Sequence, residues 1–62
     1  MILPTDEQCL AIVRELHGDP ALKGFELSFV NSNQSRQVFS DRQKHVCYDL
    51  AEKYELQSFQ PR

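Results

Sequence analysis

Two capping boxes divide this chain into two predicted helices and the segment between them. The first is TDEQ at residues 5–8, and the second is SDRQ at residues 40–43. In this motif, an N-cap hydroxyl and a Gln or Glu three residues later accept hydrogen bonds from each other's backbone N–H groups. We therefore expect helices to begin directly after Thr5 and Ser40, and the rest of the fold has to fit around them.

The first predicted helix has one apolar face and a clear end. Its apolar residues follow the helical spacing i, i+3, i+4, i+7; they are Cys9, Ile12, Val13 and Leu16. Gly18 suits the position after a helix, and Pro20 prevents the helix from continuing. The pattern predicts a helix over about residues 5–17.

The second predicted helix has an apolar face and an opposite polar face. The apolar face carries Val46, Cys47, Leu50, Ala51 and Tyr54, and the polar face carries Arg42, His45, Asp49 and Glu52. This separation is typical of a helix that packs on one side. We expect the helix to run from its cap at Ser40 to about Tyr54 or Glu55. The remaining QSFQPR should leave as an extended tail, since Pro61 is unsuited to a central strand.

The segment between the helices predicts a hairpin. FELSFV at residues 25–30 alternates apolar and polar residues, as a half-buried strand does. NSNQS at residues 31–35 is rich in turn-forming residues, and RQVF at residues 36–39 would return as a second strand. An alternative extends the second helix back to about Asn33, because Phe39 lies on its apolar face.

The hairpin interpretation predicts an α+β fold in the order α-β-β-α. Two helices would pack on one face of a small antiparallel sheet. Residues 1–62 would form a single small domain, which we expect to be a fragment of a larger protein.

Cysteine usage and hydropathy indicate an intracellular protein, nuclear or cytoplasmic. Cys9 and Cys47 both fall at apolar helical positions, so we expect reduced thiols in the core rather than a disulfide. No apolar run approaches the length that a membrane span requires, so we expect no membrane partner.

The spacing of cysteine and histidine disfavours a metal site and an enzyme. His45 and Cys47 are two residues apart on a helix and point in different directions, so they form neither a ligand pair nor a nucleophile–base pair. Cys9 and His17 are separated by more than two helical turns. The two glycines, Gly18 and Gly24, provide no phosphate-binding loop. We expect no metal, no cofactor and no catalytic activity.

The start of the second helix carries the candidate binding residues. Arg42, Lys44 and His45 cluster there, preceded by Arg36, and the helix dipole adds positive potential for a phosphate. Tyr48 would stack on a base. The competing interpretation is a solvated helix face, because acidic residues dilute the positive charge and the net charge of the chain is −2.

Residues 38–59 resemble the central helix of the R-x-x-x-H domain, a single-stranded nucleic-acid-binding module. The family is named for an arginine and a histidine separated by three residues, and Lys44 and Tyr48 stand at those two positions. The pattern that follows in the family is matched here by Ala51, Glu52, Leu56 and Ser58. Glu55 stands where the family often has glycine. The resemblance implies binding of single-stranded nucleic acid through Lys44 and Tyr48.

A protein-interaction module is the alternative function. A two-stranded sheet is marginally stable and leaves its edges open. A partner strand, or a second copy of the chain in a homodimer, would then complete the sheet.

Overall fold

Three α-helices form the fold in the computed structural model, which describes residues 2–60. The helices are α1 (Asp6–Leu16), α2 (Gly24–Ser32) and α3 (Asp41–Tyr54). Residues 2–60 contain no β-strand. The predicted α+β class is therefore wrong, and the domain is all-helical.

The predictions of α1 and α3 are confirmed, including their capping boxes. The Thr5 hydroxyl accepts a hydrogen bond from the Gln8 N–H at 3.2 Å, and the Gln8 side chain accepts one from the Thr5 N–H at 2.8 Å. Ser40 and Gln43 make the same reciprocal pair at 3.2 and 2.9 Å. These bonds satisfy backbone donors that the first turn of a helix would otherwise leave free.

The predicted strand at 25–30 is instead part of helix α2. The inward side of this helix carries Glu26, Phe29 and Val30, and Asn33, which directly follows the helix, continues the same helical spacing. The Glu26 carboxylate accepts hydrogen bonds from Lys53 Nζ at 2.8 Å and from the Tyr54 hydroxyl at 2.6 Å, which ties α2 to α3. A helix satisfies its backbone hydrogen bonds internally, whereas a strand at this position would need a partner strand.

The second predicted strand, at 36–39, is also absent, and α3 does not extend back to Asn33. Residues 33–40 form a non-helical segment, here called the connector. Arg14 Nε donates to the Gln34 carbonyl at 3.4 Å, and the Phe39 N–H donates to an Asp6 carboxylate oxygen at 3.0 Å. Because Arg14 and Asp6 are about two turns apart on α1, the connector runs along that helix.

The core lies where α1 packs against α3 and α2. It contains the whole predicted apolar face of α1 and the centre of the apolar face of α3, with contributions from α2, the connector and the tail. The buried apolar side chains are Cys9, Ile12, Val13, Leu16, Leu22, Phe29, Val30, Phe39, Cys47, Leu50, Ala51 and Leu56.

The segment after α3 returns to α1 rather than leaving the domain. The Glu15 carboxylate accepts hydrogen bonds from the backbone N–H groups of Gln57 and Ser58, at 3.1 and 2.9 Å, and from the Ser58 hydroxyl. The bond from the Ser58 hydroxyl, followed by these backbone bonds, lowers the pKa of Glu15 despite partial desolvation. The prediction of an extended tail at residues 57–62 is therefore wrong for residues 57–59, which contact α1 and α3, while residues 61–62 lie outside the described residues.

Within residues 2–60, no helix has the length and apolar character needed to cross a membrane.

Candidate nucleic-acid interface

The five predicted contact residues do not share one face in the structure. Arg42 and His45 are exposed on the outer side of α3. Lys44 and Tyr48 are half-buried at the side of α3 that meets other parts of the chain, and Arg36 is exposed on the connector. The predicted set therefore divides into three groups with different surroundings.

Lys44 is held in an ion pair with α1. Its Nζ lies 3.7 Å from an Asp6 carboxylate oxygen, and its side chain is 25% exposed. The same Asp6 oxygen also accepts the hydrogen bond from the Phe39 N–H. Lys44 therefore helps to hold α3 and the connector at the start of α1, and the Asp6 carboxylate offsets much of the charge that a phosphate would contact.

Tyr48 is packed against the segment that follows α3. Its ring meets that of Phe59 in an edge-on arrangement, with 6.0 Å between centroids and 61° between ring planes. This geometry is favourable for an aromatic pair. Because the Tyr48 ring contacts Phe59 and is half-buried, it is not a free platform for a base.

Arg36 shapes the connector and lines an open groove. Its Nε donates to the Asn33 side-chain oxygen at 2.5 Å, and its Nη1 donates to the Val38 carbonyl at 3.4 Å. Asn33 is buried and donates in turn to the Phe29 carbonyl at 2.7 Å. The guanidinium is thus held by two bonds while the residue stays exposed to solvent.

The groove that Arg36 lines, here called the connector groove, has a volume of about 460 Å³. Its walls carry amide and hydroxyl groups, one guanidinium and one apolar side chain, from Asn31, Ser32, Gln34, Ser35, Arg36, Gln37 and Val38. None of these residues is acidic, although the chain has nine Asp and Glu residues. The groove is therefore a local region of positive and neutral polar character on an acidic domain.

Arg14 adds a second guanidinium next to the connector groove, through its bond to the Gln34 carbonyl. Sequence reasoning missed both Arg14 and the amide side chains of the groove. A signal was present, since residues 31–37 form a polar run that contains one arginine and no acid. We interpreted most of that run as a turn. The approach of Arg14 depends on how α1 packs, which the local sequence does not reveal.

Residues 2–60 hold no group of three or more His, Cys, Asp or Glu side chains arranged to bind a metal ion. The two cysteines are free thiols in the core, and both histidines are exposed.

No protein-family model, curated protein or solved structure matches this chain.

Proposed function

We propose that this domain binds single-stranded nucleic acid through the connector groove, as a module of an intracellular protein, nuclear or cytoplasmic. The observation that carries the proposal is the composition of the groove, which has a guanidinium and several amides but no carboxylate. Unpaired bases expose edges that amide groups can bind, and a guanidinium can bind phosphate or stack on a base. The two free cysteines support the intracellular location.

The end of α3 gives the family resemblance some structural support. Glu55, at the position where the family often has glycine, adopts a left-handed backbone with φ of 51°. Ala51 and Leu56, which match the family pattern, are both buried. These features concern the shape of the helix end, whereas Lys44 and Tyr48 are engaged within the domain. The proposal therefore places the binding residues mainly on the connector, with Arg36 at the centre and Arg42 and His45 exposed just beyond it.

Weak binding is expected. The net charge of −2 provides no long-range attraction for a polyanion. With Lys44 paired to Asp6 and Tyr48 packed on Phe59, few contacts remain for phosphate or base. We expect a dissociation constant of about 10⁻⁴ M at low salt, which is the weak end of non-specific binding.

The test is a titration of a fluorescently labelled single-stranded oligonucleotide at several salt concentrations, starting at about 20 mM, where phosphate contacts are strongest. Arg36→Gln removes the central guanidinium, so affinity should fall severalfold. The slope of log affinity against log salt should shrink by roughly 0.7, the value for one phosphate contact on a single strand.

Lys23→Gln is the matched control, because it removes one exposed positive charge next to the opposite end of α2. It should leave affinity and salt slope nearly unchanged. The proposal is wrong if the wild-type domain does not bind at low salt, or if Lys23→Gln weakens binding as much as Arg36→Gln does.

Self-association is the second candidate function, and the exposure of Phe25 favours it. Phe25 is 66% exposed on α2, and it also lines a cleft of about 230 Å³ whose other walls include Val46 and Leu50 of α3. A Phe25 ring from a second copy could enter this cleft in a reciprocal, two-fold arrangement. The earlier basis for a homodimer, an open sheet edge, no longer applies to residues 2–60.

Sedimentation at rising protein concentration tests this candidate. A reciprocal dimer predicts a concentration-dependent increase in mass that Phe25→Ser abolishes. Leu27→Ser is the control, since Leu27 is exposed on the same helix but does not line the cleft. A monomer at every concentration contradicts this candidate and leaves nucleic-acid binding unaffected.

A further inference from the structure

The two cysteines of the chain meet in the core between α1 and α3. Both Cys9 and Cys47 are fully buried, and each lies on the face of its helix that packs against the other helix. Both belong to the same buried cluster, and each thiol is close enough to the other to affect its pKa. Cys9 Sγ also lies 3.9 Å from the Pro4 carbonyl oxygen. Residues 38 positions apart in the chain thus lie in one buried cluster.

Burial keeps this pair unreactive while the domain is closed. Desolvation raises the pKa of both thiols, and the neighbouring Cys9 further raises the pKa of Cys47. The thiolate, which is the reactive form, is therefore scarce at neutral pH. Reaction needs a transient separation of α1 from α3, and a domain this small has little free energy to prevent such opening.

We propose that Cys9 and Cys47 are a disulfide-forming pair that joins α1 to α3 under oxidising conditions. The oxidant is a small-molecule disulfide. In the opened domain, one cysteine thiolate attacks a sulfur of that molecule, forms a mixed disulfide and releases one small thiol. The second cysteine attacks the protein sulfur of the mixed disulfide and releases the other small thiol. Two protein thiols are oxidised and one small-molecule disulfide is reduced, so atoms and electrons balance.

The disulfide would be a covalent cross-link between α1 and α3 within the core. It would close a loop of about 38 residues, and a loop of that length strongly restricts the unfolded chain. Because both side chains already lie in one buried cluster between packed helices, the bond would join groups that are neighbours in the folded domain. We therefore expect oxidation to raise the melting temperature by an amount on the order of 10–20 °C. Intracellular disulfides are commonly transient and redox-sensing, so the disulfide would be reversible inside a cell.

The test is incubation of the purified domain with glutathione disulfide, followed by mass spectrometry and thermal melting. The oxidised domain should be a monomer that has lost two hydrogen atoms and carries no glutathione. Its melting temperature should rise and return to the starting value after treatment with a reductant. This outcome does not depend on nucleic-acid binding, so the two proposals can fail separately.

Cys9→Ala and Cys47→Ala serve as matched controls, since each leaves one thiol without its partner. Each variant should form only a mixed disulfide with glutathione and should show no rise in melting temperature. The inference is overturned if the wild-type domain accumulates stable glutathione adducts, forms disulfide-linked dimers, or melts at a lower temperature after oxidation. All of these readouts on the wild-type domain remain decisive even if a cysteine variant folds poorly.

Discussion

Glu55 ends α3 in a left-handed conformation that side chains disfavour. Its φ is 51°, and its backbone N–H donates to the Ala51 carbonyl. The N–H of Leu56 donates to the same carbonyl at 3.1 Å, and Leu56 is buried. The turn places Leu56 in the core and leads the chain back to Glu15 on α1. Glutamate tolerates this conformation only at an energetic cost, which glycine would avoid.

Glu55→Gly should therefore stabilise the domain. Relief of the left-handed strain outweighs the extra freedom of glycine in the unfolded chain, and we expect the free energy of unfolding to rise by about 0.5–1 kcal/mol. Urea denaturation followed by circular dichroism measures the change. Glu55→Gln is the control, because it removes the same charge from the helix end but keeps the Cβ atom. If the Gly variant is no more stable than the Gln variant, backbone strain at position 55 is not the cause.

Single residues also explain why the candidate site was only partly predictable. Helical spacing correctly placed Arg42 and His45 on an exposed face. Lys44 was predicted to be free because its partner, Asp6, is 38 residues away in sequence. This ion pair forms only when α1 and α3 pack together, so no local sequence pattern predicts it. The same holds for Arg14 beside Gln34 and for Phe59 against Tyr48.

Helices α1 and α3 were predictable because several local signals agree on each. Each has a capping box, an apolar face and an acid in its first turn. Helix α2 has an acid in its first turn, but Lys23 makes no side-chain cap, and Glu26 and the following Asn33 put polar residues on its inward side. The alternation of Phe25, Leu27 and Phe29 favoured a strand. Phe29 and Val30 share a helical face with Glu26 and Asn33. The sequence does not show that these two polar side chains have hydrogen-bond partners, so it does not identify this face as an inward one.

The two interpretations of α2 predict opposite effects for two alanine substitutions. In the helix Val30 is fully buried, whereas Leu27 is 41% exposed. Val30→Ala should cost about 1–3 kcal/mol of unfolding free energy through lost burial and the cavity left behind. Leu27→Ala should cost less than about 1 kcal/mol, although it removes the larger side chain. A strand would bury Leu27 with Phe25 and Phe29 and would reverse this order. Paired urea denaturation curves decide between the two.

At the scale of the whole molecule, the error in fold class came from one segment. A two-helix layer on a sheet needs both 25–30 and 36–39 to be strands, and neither is. Once α2 is a helix, residues 36–39 have no strand to pair with. The connector instead runs along α1, held by Arg14 at one end and Asp6 at the other. The choice between these arrangements depends on contacts between distant segments, which an individual window of sequence does not contain.

The small size of the domain makes its stability depend on a few buried side chains, of which Leu50 is the sharpest test. Leu50 is 3% exposed at the centre of the buried face of α3, as its position in the helical pattern predicted. Leu50→Ala should cost about 2–5 kcal/mol. A single core of this size provides roughly 3–5 kcal/mol in total. The variant should therefore lose most of its helical circular dichroism at 25 °C or melt far below the wild type. Glu52→Ala is the control, because Glu52 is exposed on the opposite face of the same helix. This substitution should change the free energy of unfolding by no more than about 0.5 kcal/mol. A Leu50→Ala variant that melts like the Glu52→Ala variant would show that α3 does not pack on α1 through this face.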